Sequence, residues 1–138
     1  MNIPMLLSPK VSTAYLEDDN TVRQGLEKFR VHGFTAIPVL DNNGCYLGTV
    51  SEGDFLRCML NADDTSMKSM ESLMIREIMR RDKNPPLGID ATLEDVLSRL
   101  MDTNFVPIVD GRNCYIGIVT RKSLLGYLKE KLDLPRKE

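Results

Sequence analysis

Three observations on the chain predict a mixed α+β fold built from two β-α-β-β-α units: a long internal duplication, a turn-linked pair of apolar strands in each copy, and helical periodicity before and after each pair. Residues 38–56 recur without a gap 69 positions later as residues 107–125. Seven of the 19 paired positions are identical: Pro38/Pro107, Asp41/Asp110, Cys45/Cys114, Tyr46/Tyr115, Gly48/Gly117, Val50/Val119 and Leu56/Leu125. Unrelated segments of ordinary composition would share roughly one. Five further pairs keep their chemistry: Val39/Ile108, Leu40/Val109, Leu47/Ile116, Ser51/Thr120 and Phe55/Leu124. The expected organisation is one repeat over residues 1–65, and a linker with the second repeat over residues 66–138. Each copy has one sheet and two helices, too little to bury its apolar face alone, so the two are expected to pack against each other.

In order along the chain, residues 10–16 (KVSTAYL) are rich in β-branched and aromatic side chains and predict a first strand. A helix follows from Thr21, where Gln24 three positions on gives capping-box form and Val22, Leu26 and Phe29 share a face. Gly33 suits a left-handed stop. Residues 36–41 and 45–50 read as a hairpin around Asn42-Asn43-Gly44, and Ser51 as the N-cap of a helix bearing Phe55, Leu56, Met59 and Leu60. Residues 61–71 are polar with little periodicity and read as linker, followed by a helical turn or two over 73–79. The second unit repeats the order: a strand at 87–89, a helix from Thr92 with Asp95, a hairpin over 105–110 and 114–119 around Gly111-Arg112-Asn113, and a final helix capped by Thr120. That last helix carries Leu124, Leu125, Leu128 and Leu132 on one side.

Composition narrows the function classes. Hydrophobic residues at 42%, charged residues at 28% and a net charge of −2 describe a soluble globular chain without the general positive field that collects polyanions, so nucleic-acid binding is not expected. The short, proline-interrupted apolar start reads as neither signal peptide nor membrane span. Cys45, Cys58 and Cys114 form no CxxC pair, and their odd number suggests no disulfide framework, which fits a reducing, cytoplasmic setting. Cys45 and Cys114 read as packing residues, and His32, the one histidine, has no second histidine with which to share metal or catalytic work.

The spacing that carries chemistry is the run Gly48-Thr49-Val50-Ser51-Glu52-Gly53-Asp54 and its counterpart Gly117-Ile118-Val119-Thr120-Arg121-Lys122-Ser123. Each sends a strand straight into a helix through a hydroxyl residue, which sets free N–H groups and an oxygen where a phosphate can be received. Asp54, one turn in, is suited to accept from a vicinal diol such as that of ribose. The same residues also describe a self-satisfying helix cap contributing about 1 kcal/mol with no ligand at all, and both readings stand at this level. In the second copy Ser123 replaces the acid, while Arg121 and Lys122, with Arg112 in the nearby turn, favour anionic phosphate or simply a solvated basic helix start. Arg80, Arg81 and Lys83 form another basic cluster, read either as a solvated charge run or as reaching phosphates or a partner surface. Met67, Met70, Met74 and Met79 read as core filling or as an interface.

An apolar-Pro-apolar-apolar-Asp strand, a turn, and a Gly-x-Val-[Ser/Thr] run into a helix, present twice with Asp at its end in the first copy, resemble the tandem CBS-domain pair, or Bateman module, over residues 9–132. The resemblance implies a stand-alone pseudo-twofold module with two related clefts, in which an adenosine-type nucleotide acts as regulatory ligand and no cofactor is required. It assigns Ser51 to the phosphate and Asp54 to the ribose in the first cleft, with Ala36, Ile37, Pro38, Val11, Thr13 and Ala14 walling the base. In the second copy Thr120, Arg121, Lys122 and Ser123 stand at the matching positions. It also implies a homodimer signalling to a separate effector protein. A ligand-free interaction module of the same fold is the alternative. An enzyme is not expected: no nucleophile has a paired base, no metal-ligand spacing occurs, and the carboxylate pairs Asp18/Asp19 and Asp63/Asp64 sit in polar turns and linker.

Overall fold

The computed structural model describes residues 2–62 and 66–132, the side chain of Met67 excepted. Contacts divide the chain into two compact units, one of residues 14–85 and the other joining residues up to 13 with those from 86 onward.

In the unit of residues 14–85, strand β2 (Leu16–Glu17) leads through helix α2 (Val22–His32) to β3 (Ala36–Leu40), which turns back into β4 (Tyr46–Ser51) and runs on into α3 (Glu52–Asn61). Helices α4 (Met67–Ser72) and α5 (Ile75–Ile78) follow. The sheet order is β2-β3-β4, with β2 parallel to β3 and β4 antiparallel to it. A parallel neighbour needs a crossover, and α2 supplies it. Its start is the expected capping box: Gln24 N donates to Thr21 Oγ1 at 3.1 Å and Thr21 N to Gln24 Oε1 at 2.8 Å. Its end is Gly33 at φ 67°. The core gathers Val22, Phe29, Ile37, Val39, Val50, Phe55, Met70, Ile75 and Met79.

In the other unit, α1 (Ile3–Leu6) and β1 (Ser8–Pro9) precede a 3-10 turn over Lys10–Ser12. After residue 86 come β5 (Leu87–Gly88), α6 (Leu93–Leu100), β6 (Phe105–Val109), β7 (Tyr115–Thr120) and α7 (Arg121–Lys131). The sheet order is β1-β7-β6-β5, around a core that includes Ile3, Leu6, Val96, Leu100, Val106, Ile108, Val119 and Leu124. The duplication extends to irregularities: the register shifts between Val39 and Leu40 in one sheet and between Ile108 and Val109 in the other. Among the described residues no helix is long and apolar enough to cross a membrane.

Three expectations are corrected. Residues 10–16 do not form one strand: Pro9 donates no N–H, and Thr13 returns both its N–H (3.0 Å) and its hydroxyl (2.9 Å) to Lys10 O, closing a 3-10 turn and leaving only Leu16–Glu17 extended in a sheet. The polar stretch 61–71 contains the start of α4, capped by Ser66 and anchored by Met70 in the core; Asp63 and Asp64 lie outside the described residues. The leucines of α7 do not share one buried side, and α3 divides its apolar residues in the same way. Phe55 and Leu124 turn inward, whereas Leu56 is 58% exposed and Leu125 59%, because consecutive helical residues point about 100° apart and only one face meets the sheet.

The lead-in segments explain two glycines. Ser8–Pro9 pairs antiparallel with β7, and an added Cβ on Gly117, at φ 151°, would lie 2.1 Å from Ser8 O. Arg80 bridges to Thr49 on β4, and an added Cβ on Gly48 would meet Arg80 O at 3.0 Å and Met79 Cε at 2.8 Å. The identical pair Gly48/Gly117 is therefore the place where each second hairpin strand is crossed closely by another backbone.

Candidate functional site: two unequal strand-to-helix turns

The first turn is built by β4 ending at Ser51, which is extended (φ −122°, ψ 165°) and stands opposite Ala36 on β3. Asp54 is 1% exposed on the first turn of α3. Its Oδ2 accepts from Ser51 N at 2.8 Å and from the Ser51 hydroxyl at 3.2 Å. Its Oδ1 is paired with the guanidinium of Arg57 one helical turn on, and Arg80 Nε lies 3.8 Å away. Lys83 Nζ donates to Ser51 Oγ at 2.9 Å. A buried carboxylate is tolerable only with such partners. The outcome is a buried carboxylate with three cationic side chains near a hydroxyl, at a helix start whose first residue, Glu52, is a second acid.

The second turn is simpler. Thr120 Oγ1 accepts from Ser123 N at 3.0 Å and donates to Ser123 Oγ at 2.9 Å, an ordinary cap with no carboxylate. Arg121 turns away from it: Nε donates to Leu100 O at 2.9 Å and Nη2 to Thr103 O at 3.1 Å, so the guanidinium holds the end of α6. Lys122 is exposed, and a cleft of about 400 Å³ is lined by Asn104, Thr120, Arg121, Lys122 and Leu125. In both turns the first helical N–H is already used, Glu52 N on Thr35 O at 3.0 Å and Arg121 N on Asn104 O at 2.9 Å. The free N–H groups expected at each helix start therefore do not include the first.

The structure brings Ser51, Asp54 and Ala36 together in one unit and Thr120 and Ser123 in the other. Ile37 alternates away into the core with Val39, while Pro38 is buried beside it on β3, opposite Thr49. Ala14 packs on the core of the unit that holds Ser51. Val11 and Thr13 belong to the unit that holds Thr120; Val11 is 92% exposed, and the Thr13 hydroxyl is shared with Tyr115 Oη at 2.9 Å. Arg112 donates its backbone N–H to Asp110 Oδ1 at 2.9 Å in the hairpin turn, where Cys114 N does the same; these two bonds hold the Asp110 carboxyl below its usual range. His32 lines a different cavity of about 720 Å³ along α2, with Thr21, Gln24, Lys28, Val31 and Glu71 among its walls and none of the expected site residues.

Sequence reasoning missed Arg57 and left Lys83 undecided. The Asp-x-x-Arg spacing of a helix was available as a signal for Arg57. Nothing in local pattern foretells Lys83, because it reaches Ser51 only through the crossing of β4 by Arg80.

Comparison with known proteins gives three concordant results. The CBS domain family model matches residues 9–61 and 75–130. A CBS domain-containing protein of Dictyostelium discoideum is 25% identical over 138 residues, covering 95% of this chain and 93% of its own length. Among solved structures, CbpB in complex with c-di-AMP superposes with a TM-score of 0.89 at 24% identity, covering 96% of this chain and 87% of that one. CBSX2 in complex with AMP gives a TM-score of 0.75 at 22% identity, covering 94% and 98%.

Proposed function

We propose that this chain, which belongs to the CBS domain family and carries two CBS domains, is a regulatory module that binds an adenine nucleotide and passes the signal to a partner protein. The observation that carries the reading is Asp54, a buried carboxylate bonded to the Ser51 main chain and hydroxyl at the start of α3. An isolated cap needs no acid so deeply placed and so heavily countered by cations. A carboxylate and a hydroxyl one helical turn apart suit the diol and the phosphate of one nucleotide. The likeness in fold to proteins solved with c-di-AMP and with AMP supports the same ligand class. Thr120 and Ser123 lack the acid, so the first turn is the principal site and the second an accessory or empty one.

The role is regulatory: the Ser51 hydroxyl, bonded to Lys83 Nζ and Asp54 Oδ2, and the carboxylate beside it act as ligands for a phosphate and a diol. The module acts as a homodimer, since Leu56 and Leu60 on α3 and Leu125 on α7 leave apolar surface uncovered. Those same leucines favour the second reading, a docking protein of this fold with unused clefts.

Thermal unfolding separates the two. A panel of AMP, ADP, ATP, S-adenosylmethionine and c-di-AMP is expected to contain at least one stabilising ligand. At about 100 times its Kd a ligand adds about 2.7 kcal/mol, a rise of several degrees in a chain of this size. If no member moves the midpoint, the docking reading replaces the sensor.

A further inference from the structure

We infer that Lys83, acting with Arg57 and Arg80, makes the Ser51–Asp54 site select phosphate-bearing ligands and reject neutral or cationic adenosine compounds. The inference rests on the nucleotide reading above and deepens it by naming the residue that decides ligand class.

Three features set Lys83 apart from a solvated charge. Its Nζ donates to a neutral oxygen, Ser51 Oγ at 2.9 Å, and it makes no ion pair with a carboxylate among the described residues. The two arginines differ: both face the single carboxylate of Asp54. The Lys83 charge is thus carried beside the hydroxyl, where a phosphate oxygen would arrive, at a helix start whose first turn holds the acids Glu52 and Asp54.

The lysine is also held in position from both sides. Before it, Arg80 bridges to Thr49 on β4, and Lys83 N donates to Arg80 O at 3.3 Å. After it, Asn84, at φ 56°, offers its carbonyl to Tyr46 Oη at 2.7 Å, and that hydroxyl is in turn 2.7 Å from buried Thr49 Oγ1. A charge run bordering a linker has no need of such anchoring.

The arginines remain available to a ligand. Their side chains are about half exposed although the carboxylate they share is buried. An ideal Cβ on Gly53 would lie 3.7 Å from Ser51 Oγ and 3.9 Å from Arg57 Nη1, so hydroxyl and guanidinium flank one point above the helix start. An arriving phosphate gains charge-assisted bonds there. A neutral nucleoside gains none, and a sulfonium ligand meets like charge.

Calorimetric titration of the full chain with pyrophosphate, AMP, adenosine and S-adenosylmethionine, repeated on Lys83→Met and Lys83→Arg, tests the inference. Pyrophosphate and AMP are expected to bind, AMP tighter than adenosine by about tenfold or more, with S-adenosylmethionine weakest. Lys83→Met is expected to weaken AMP and pyrophosphate by about tenfold while leaving adenosine unchanged, and Lys83→Arg to restore most of the loss. Adenosine binding as tightly as AMP, or Lys83→Met binding AMP as the natural chain does, overturns the selectivity and leaves the nucleotide sensor intact. Lys83-dependent pyrophosphate binding without any adenine ligand upholds the selectivity and removes the adenosine reading. Binding of none of the four overturns both.

Discussion

Lys83 Nζ donates a 2.9 Å hydrogen bond to Ser51 Oγ across 32 positions of sequence. The contact exists because Arg80 crosses β4 at Gly48–Thr49, which brings residues 80–83 onto the strand-to-helix turn at Ser51. Arg80 and Lys83, from a basic cluster that looks incidental in the sequence, thereby lie beside Asp54 and Ser51.

The crossings depend on the two glycines. Gly117→Ala puts a methyl 2.1 Å from Ser8 O at φ 151°, so the natural register of β1 on β7 is lost. Denaturant unfolding is expected to show a loss of about 1–3 kcal/mol. Gly48→Ala meets backbone at 3.0 Å and a flexible methionine end at 2.8 Å, so it costs less stability but displaces Arg80 and with it Lys83. Its signature is weakened nucleotide binding in a folded protein. Equal stability losses in the two variants, with binding kept in Gly48→Ala, contradict this account.

Asp54→Ala strips the partner from Arg57 and Arg80 and from Ser51 N. Leaving such groups unsatisfied costs about 1–3 kcal/mol. The variant is also expected to lose the stabilisation given by an adenine nucleotide, whereas Ser123→Ala keeps most of it. The reverse ranking in a thermal-shift comparison would move the principal site to the second turn.

Asp110 supplies a pH test. Its carboxylate accepts from Cys114 N and Arg112 N, which lowers its pKa in the folded chain from the ordinary 3.8. The folded value lies below the unfolded one, so the contribution is complete above 3.8 and disappears as pH falls through the folded value. Chemical unfolding of the natural chain and Asp110→Asn should show a gap that is constant from neutral pH to about 5 and closes in stronger acid. A gap that widens on acidification contradicts the assignment.

Leu56 and Leu125, an identical pair between the repeats, stay outside both cores. Leu56→Glu and Leu125→Glu should leave unfolding midpoints within about 0.5 kcal/mol of the natural chain. Sedimentation is expected to show the natural chain as a dimer, on the homodimer proposed above, and the double variant as a monomer. A dimer that survives both changes assigns the interface elsewhere.

Much was legible in the sequence because it is encoded at short range. The Thr21 and Thr92 caps, the left-handed Gly33 and the tight turns that close the two hairpins each depend on residues a few positions apart. Duplication then supplied the double unit, and the Ser51–Asp54 spacing marked a turn that the fold does build. Residues 10–16 lost their strand to a turn that is itself local, because Thr13 bonds back to Lys10 O three positions away. Two things were decided by tertiary structure alone. Phe55 rather than Leu56 was buried, because the sheet covers only one face of α3. Lys83 reached Ser51 because a two-residue backbone bridge, which has no periodicity to read, found at Gly48 a strand with no side chain in its way.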